Sequence, residues 1–103
     1  FGANLEEAEA GFPDNGQLYW DRLNAALALS TLNQVKVLAP VGQLTKFEII
    51  KQGLALKAPL ESIWSCYEAG QSHCGRCASC HLLLRALEGN QAGNLKATLF
   101  SAV

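Results

Sequence analysis

The chain has 103 residues, half of them hydrophobic, with a formal net charge of -1 and a pI near 6.1. That length holds one modest hydrophobic core, so a single domain over residues 1–103 is the expectation. The balanced charge leaves no basic footprint for nucleic acid or an anionic membrane surface, and no apolar run approaches the roughly 18 to 20 residues of a bilayer span. The sequence therefore reads as soluble and cytoplasmic, with no direct nucleic-acid or membrane partner.

The opening, Phe1-Gly2-Ala3-Asn4, has the character of a buried strand running into a loop, and the sequence contains no methionine. Both features predict a piece of a longer protein cut upstream of residue 1. The acidic stretch "NLEEAEAGFPDNGQ" predicts a helical turn over 5–10. Gly11, Pro13, Asp14, Asn15 and Gly16 then mark a loop. From 18 to 32, apolar Tyr19, Leu23, Ala26 and Leu27 recur near a 3.6-residue period opposite Asp21, Arg22 and Asn24, which predicts an amphipathic helix. "QVKVLAP", residues 34–40, alternates and closes on Pro40, as a strand of about five residues would.

A second long helix is predicted in "LTKFEIIKQGLALKAP". Thr45 and Glu48 have capping-box spacing, in which each side chain satisfies a backbone N–H left free at the helix start. Phe47, Ile50 and Leu54 form its expected buried stripe, and Pro59 its stop. A third helix is predicted over 78–88, with Gly89 and Asn90 as terminator. Residues 91–103 carry no clear pattern. The helix, strand, helix order is that of part of an α/β protein with a parallel sheet.

All four cysteines fall in "WSCYEAGQSHCGRCASC", spaced Cys66-x7-Cys74-x2-Cys77-x2-Cys80. Two consecutive Cys-x-x-Cys pairs point to one ion shared by four thiolates, because a two-residue spacing turns both sulfurs toward one point. Gly75 supplies the permissive backbone for that turn. Zinc suits four sulfurs at tetrahedral geometry; an iron–sulfur cluster is the rival, since it also uses short Cys-x-x-Cys spacings. Disulfides across such short loops would be strained. Four thiolates leave no open position for water or substrate, so a zinc here is structural, one per chain. Backbone N–H donors and Arg76 are the expected offset for the sulfur charge. His73 and His81 are expected on the surface or in support of the ligands. Residues 64–88 thus form a zinc-binding segment and the helix after it.

The words "GFPD", "TKFEI", "WSCY" and "HCGRCASC", in this order and at these separations, resemble the C-terminal part of 7-cyano-7-deazaguanine synthases. The resemblance implies a doubly wound parallel-sheet α/β fold of the PP-loop ATPase type. It implies an ATP-dependent carbon–nitrogen ligase that turns a carboxylate and ammonia into a nitrile in the queuosine pathway, using ATP with magnesium. It assigns Cys66, Cys74, Cys77 and Cys80 to zinc, Phe12 and Asp14 to the substrate pocket, and Lys46 to the ATP phosphates; no catalytic residue is assigned. A homodimer is the candidate assembly. The family's Ser-Gly-Gly-x-Asp-Ser loop does not occur in these residues, so the chain alone is expected to be inactive.

Asn15 stands where the family pattern has cysteine, and Leu83 where it has arginine after the last ligand. These departures keep a second reading in view, a relative that acts on another carboxylate. A third, from a different class, is a free-standing zinc-knuckle module that binds a protein partner.

Overall fold

The computed structural model describes residues 1–102, which divide after Thr45 into two compact units. In the first, Asn4, in the extended conformation, caps α1 (Leu5–Glu9), its side-chain oxygen accepting the Glu7 N–H at 3.1 Å. Glu6 and Glu7 occupy the first turn, where the positive end of the helix favours carboxylates. Phe12 leads into a 3-10 turn, Pro13–Asn15, and Gly16 into α2 (Gln17–Ser30).

The buried residue of α2 is Trp20, whose indole N–H donates to the Asp14 carbonyl at 3.2 Å and whose ring meets the edge of Phe1. The predicted helix is present, but its inward face differs from the predicted one. Leu23 and Leu27 are half-buried, whereas Tyr19 and Ala26 are exposed.

Residues 34–40 do not form the predicted strand, and no strand occurs among the described residues, so the wound parallel sheet is not seen in them. The physical reason is local. A strand needs a neighbour to pair its backbone, and here a side chain takes that place: the Asn24 amide donates to the Val37 carbonyl at 3.0 Å and accepts the Val37 N–H at 2.7 Å. Gln34, at φ 50°, sits in the left-handed region that breaks an extended run. Thr31 closes α2 by donating to the Leu27 carbonyl at 2.7 Å while its hydroxyl oxygen accepts the Val35 N–H at 2.9 Å.

The second unit opens with α3 (Lys46–Ala55), directly after Thr45 as the capping pattern predicts. It ends before Pro59 is reached. Ala58 N–H bonds the Gly53 carbonyl at 2.9 Å and Lys57 N–H the Leu54 carbonyl at 3.2 Å, with Lys57 itself at φ 53°. That pair of bonds around a left-handed residue is a Schellman turn, which satisfies the last helical carbonyls without proline. Of the predicted stripe only Ile50 is buried; Phe47 and Leu54 are each 41% exposed.

Helix α4 (Ala78–Gly89) supplies the centre of this unit: Cys80, Leu83, Ala86 and Leu87 are buried and cluster with Ile50, Cys66, Leu99 and Phe100. Burying each leucine side chain contributes about 1.5 to 3 kcal/mol. The helix runs one residue past the predicted bound and Asn90, part of the predicted terminator, is its C-cap. Gly89 is still helical and serves close packing, since a Cβ there would lie 3.0 Å from the Phe47 ring. The left-handed residue is Gln91, at φ 56°, whose N–H bonds the Glu88 carbonyl at 3.0 Å while Ala92 N–H bonds that of Leu87 at 2.9 Å. Asn90 donates to the carbonyls of Ala86, at 2.8 Å, and Phe47, at 3.1 Å, joining the end of α4 to the start of α3. A further helix, α5 (Gly93–Leu99), packs on α4 from the segment whose sequence showed no pattern. No helix among the described residues is long and apolar enough to cross a membrane.

Candidate metal centre

The four cysteines converge. The sulfurs of Cys66, Cys74, Cys77 and Cys80 all lie within 4.8 Å of one another, and those of Cys74 and Cys80 are 3.8 Å apart. A tetrahedron with zinc–sulfur bonds of about 2.3 Å has edges of about 3.8 Å, so the donor set fits one tetrahedral ion of that size.

Two loops and a helix start bring the sulfurs together. The Cys66 sulfur accepts the N–H of Glu68 at 3.3 Å and that of Cys74 at 3.4 Å. The Cys74 sulfur accepts from Arg76, at 3.4 Å, and Cys77, at 3.3 Å. Gly75 holds φ 73° between them, a backbone that a side chain would strain. Cys77 is the N-cap of α4, its sulfur accepting the Cys80 N–H at 3.4 Å, so one ligand starts the helix on which the next ligand sits. The N-terminal end of a helix favours a thiolate at that position.

These N–H donors act on the thiols electrostatically. Cys66 is lowered below an ordinary thiol, chiefly by the Cys74 N–H. Cys77 is drawn down to about 6, first by the backbone of Tyr67 and then by that of Cys80. Burial pushes Cys80 up to about 12. A buried neutral thiol at Cys80 beside an ionised Cys77 suits a divalent cation, which takes the place of thiol protons on binding.

Arg76 contributes through its backbone N–H and also as a positive charge beside sulfur: after Glu68, its charge interactions with Cys74 and Cys66 raise its guanidinium above the ordinary value. Its guanidinium grips Glu68 in a two-point fork, Nη2 to Oε2 at 2.6 Å and Nε to Oε1 at 3.2 Å, and the hydrogen bond from Arg76 lowers the Glu68 carboxyl. Glu68 and Arg76 each stand two residues beyond a ligand, so the pair clips the two loops across an exposed edge. The Trp64 indole N–H donates to the Cys66 carbonyl at 3.1 Å.

His73, expected on the surface or in a supporting role, is 1% exposed. Its Nε2 accepts the Ser65 N–H at 3.2 Å, which leaves Nδ1 carrying the proton it donates to the Leu99 carbonyl, also at 3.2 Å. The ring lies between Trp64 and Phe100, with centroids 4.8 and 5.1 Å away. Both Ser65 and His73 immediately precede a ligand cysteine. That adjacency was the available sequence signal; the partner, Leu99, lay in the unplaced tail. His81 is exposed on α4.

The other predicted site residues lie elsewhere. Phe12 is 57% exposed beside the 3-10 turn that contains Asp14, whose carboxylate accepts from the Asn15 side chain at 3.2 Å. Both belong to the first unit. Lys46 is the first residue of α3, in the second.

Comparison with known proteins bears on these residues. The family described as "Queuosine biosynthesis protein QueC" matches residues 1–91. A 7-cyano-7-deazaguanine synthase of Methanosarcina mazei is 47% identical over 87 residues, covering 84% of this chain and 37% of the relative. One of Carboxydothermus hydrogenoformans is 48% identical over 89 residues, 86% of this chain and 41% of the relative. The 7-cyano-7-deazaguanine synthase 2 of Sulfurisphaera tokodaii is 47% identical over 92 residues, 86% of this chain and 20% of its own length. The chain thus spans less than half the length of these relatives. No solved structure matches it significantly.

Proposed function

The chain belongs to the QueC family of queuosine biosynthesis proteins, and from that premise we propose that it is the zinc-stapled portion of an ATP-dependent synthase that makes a nitrile from a 7-deazaguanine carboxylate and ammonia. The observation that carries this reading is the convergence of four thiols inside the stretch shared with relatives named 7-cyano-7-deazaguanine synthase.

A carboxylate is a poor electrophile. Transfer of the adenylyl group of ATP to it, with loss of pyrophosphate, creates a leaving group; ammonia displaces AMP to give the amide, and a second activation removes the amide oxygen to leave the nitrile. Within this scheme Asp14 accepts hydrogen bonds from the N–H edge of the guanine-like ring, and Phe12 offers that ring an exposed apolar face. Lys46 binds ATP phosphate, where its ammonium joins the positive end of α3. Magnesium accompanies the ATP.

Zinc, when bound, supplies a fixed centre with all four positions filled by sulfur, and takes no part in the chemical steps. Cys66, Cys74, Cys77 and Cys80 hold it, and their loops are thereby tied to α4. Nothing resembling the Ser-Gly-Gly-x-Asp-Ser phosphate loop occurs in the chain, so activity requires that part of the enzyme to be supplied.

The experiment pairs the chain with the nucleotide-binding portion of a family member, covalently or by mixing, and follows 7-carboxy-7-deazaguanine, ammonium and ATP by mass spectrometry. Nitrile from the paired protein, none from either part alone, and a loss of at least tenfold in Asp14→Ala and Lys46→Ala are expected. Zinc retention with no nitrile and no pyrophosphate release from any pairing would overturn the synthase reading.

A further inference from the structure

Helix α5 begins at Gly93, outside the 1–91 span that the family pattern matches, yet it is bonded to the metal segment at several points. The Leu99 carbonyl, at its last residue, accepts both the backbone N–H of His73 at 3.0 Å and the imidazole Nδ1–H at 3.2 Å. The Ala102 N–H donates to the Ser72 hydroxyl at 3.2 Å. Phe100 lies against the His73 ring and joins the cluster that holds Cys66, Cys80, Leu83 and Leu87. On its other side the same ring accepts the Ser65 N–H.

One imidazole therefore links three pieces of chain: the residue before Cys66, the residue before Cys74, and the end of α5. The Leu99 carbonyl meets two donors only where the 72–74 backbone is turned as it is, and that turn is fixed by the Cys74 N–H and sulfur contacts to the neighbouring loops.

From this we infer that α5 is a metal-dependent latch: it docks when one ion gathers Cys66 and Cys74, His73 transmits the gathering to Leu99, and the helix comes away when the ion leaves. Because coupling between two binding equilibria is reciprocal, a docked α5 must tighten metal binding by the same factor by which the metal favours docking. A helix as short as α5 has little stability of its own, so undocking and unwinding are one event.

The test uses the zinc-loaded full chain and its fit requires no activity. Hydrogen–deuterium exchange of residues 93–100 is measured in zinc-loaded parent, chelated parent and zinc-loaded His73→Leu, and zinc affinity is measured by equilibrium competition with a chromogenic chelator in parent and Phe100→Ala. His73→Leu keeps every thiol while removing both ring bonds; Phe100→Ala loosens α5 while keeping every thiol and both ring bonds. Expected are about tenfold faster exchange in α5 on chelation and in His73→Leu, and about tenfold weaker zinc binding in Phe100→Ala, within the usual range of coupling between sites. Should His73→Leu fail to hold zinc, the affinity of Phe100→Ala decides. Equal α5 exchange with and without metal, or an unchanged zinc affinity in Phe100→Ala with α5 shown to exchange faster, would overturn the latch. Loss of synthase activity is not a readout here, so failure of this coupling and failure of the functional assignment are separable.

Discussion

The sulfur of Cys77 accepts the backbone N–H of Cys80 at 3.4 Å, so a metal-ligand candidate is also the N-cap of the helix that carries its neighbour. The two roles can be separated chemically. A serine at position 77 keeps a capping oxygen but is a poor zinc ligand, and alanine keeps neither. Cys77→Ser and Cys77→Ala are both expected to lose most of their zinc affinity, with the alanine variant less stable than the serine one by about 0.5 to 2 kcal/mol. Denaturant unfolding of the two variants in excess zinc measures the difference; equal stability would mean that the sulfur does not cap α4.

The reversal after α3 gives a second prediction. Lys57 holds φ 53°, a left-handed conformation that glycine adopts without cost and lysine does not. Its N–H and that of Ala58 complete the Schellman turn, so the conformation is imposed by the hydrogen bonds. Lys57→Gly should therefore raise stability by about 1 kcal/mol, read as a higher urea midpoint with an unchanged slope. A lower midpoint would show that the lysine side chain contributes more than the backbone loses.

Ser65 poses the opposite case. Its N–H is used by His73, but its hydroxyl is buried with no hydrogen-bond partner among the described residues. An unpaired buried hydroxyl costs about 1 to 3 kcal/mol of desolvation, part of which alanine recovers. Ser65→Ala is expected to leave zinc content unchanged and stability equal or up to about 1 kcal/mol higher. A drop of about 2 kcal/mol or more in the urea titration would reveal a partner that the hydroxyl finds in solution.

The thiol environments fix the direction of the pH response. Cys77 is drawn down to about 6 and Cys66 is lowered as well, both from 9.0. A lowered pKa contributes stability that is present above the ordinary value and is lost as pH falls through the folded one, so the metal segment should give way on the acid side. Zinc release is expected as pH falls, and Glu68→Gln should not move its midpoint, because the Arg76 hydrogen bond puts the Glu68 carboxyl below its ordinary value of 4.5. Release centred above pH 8, followed with a fluorescent zinc indicator, would contradict the ionised state of Cys77.

The metal cluster was legible because its information is local: spacing alone turns Cys74 and Cys77 toward one point, and Gly75 marks the turn. Helices α2 and α3 were legible from periodicity, though their buried faces only in part, since which side of α2 meets solvent depends on Trp20 finding the Asp14 carbonyl. The run at 34–40 carries a strand's alternation, but the Asn24 side chain takes both backbone groups of Val37. Helix α5 left no readable pattern because Leu99 and Phe100 acquire their meaning from His73, a contact across 26 residues that no period encodes. The end of α4 was legible to within one residue, with Asn90 as its cap, but the role of Gly89 was not. Gly89 looks like a helix terminator and is instead the gap into which Phe47 packs.

X-ray absorption at the metal edge of protein purified without added metal, alongside elemental analysis, reads both the identity of the ion and its ligands. One zinc per chain, surrounded by four sulfurs at about 2.3 Å and no nitrogen or oxygen, is predicted. Iron with an iron–iron scattering path, or zinc with a nitrogen or oxygen in its first shell, would contradict a closed four-thiolate staple formed by Cys66, Cys74, Cys77 and Cys80.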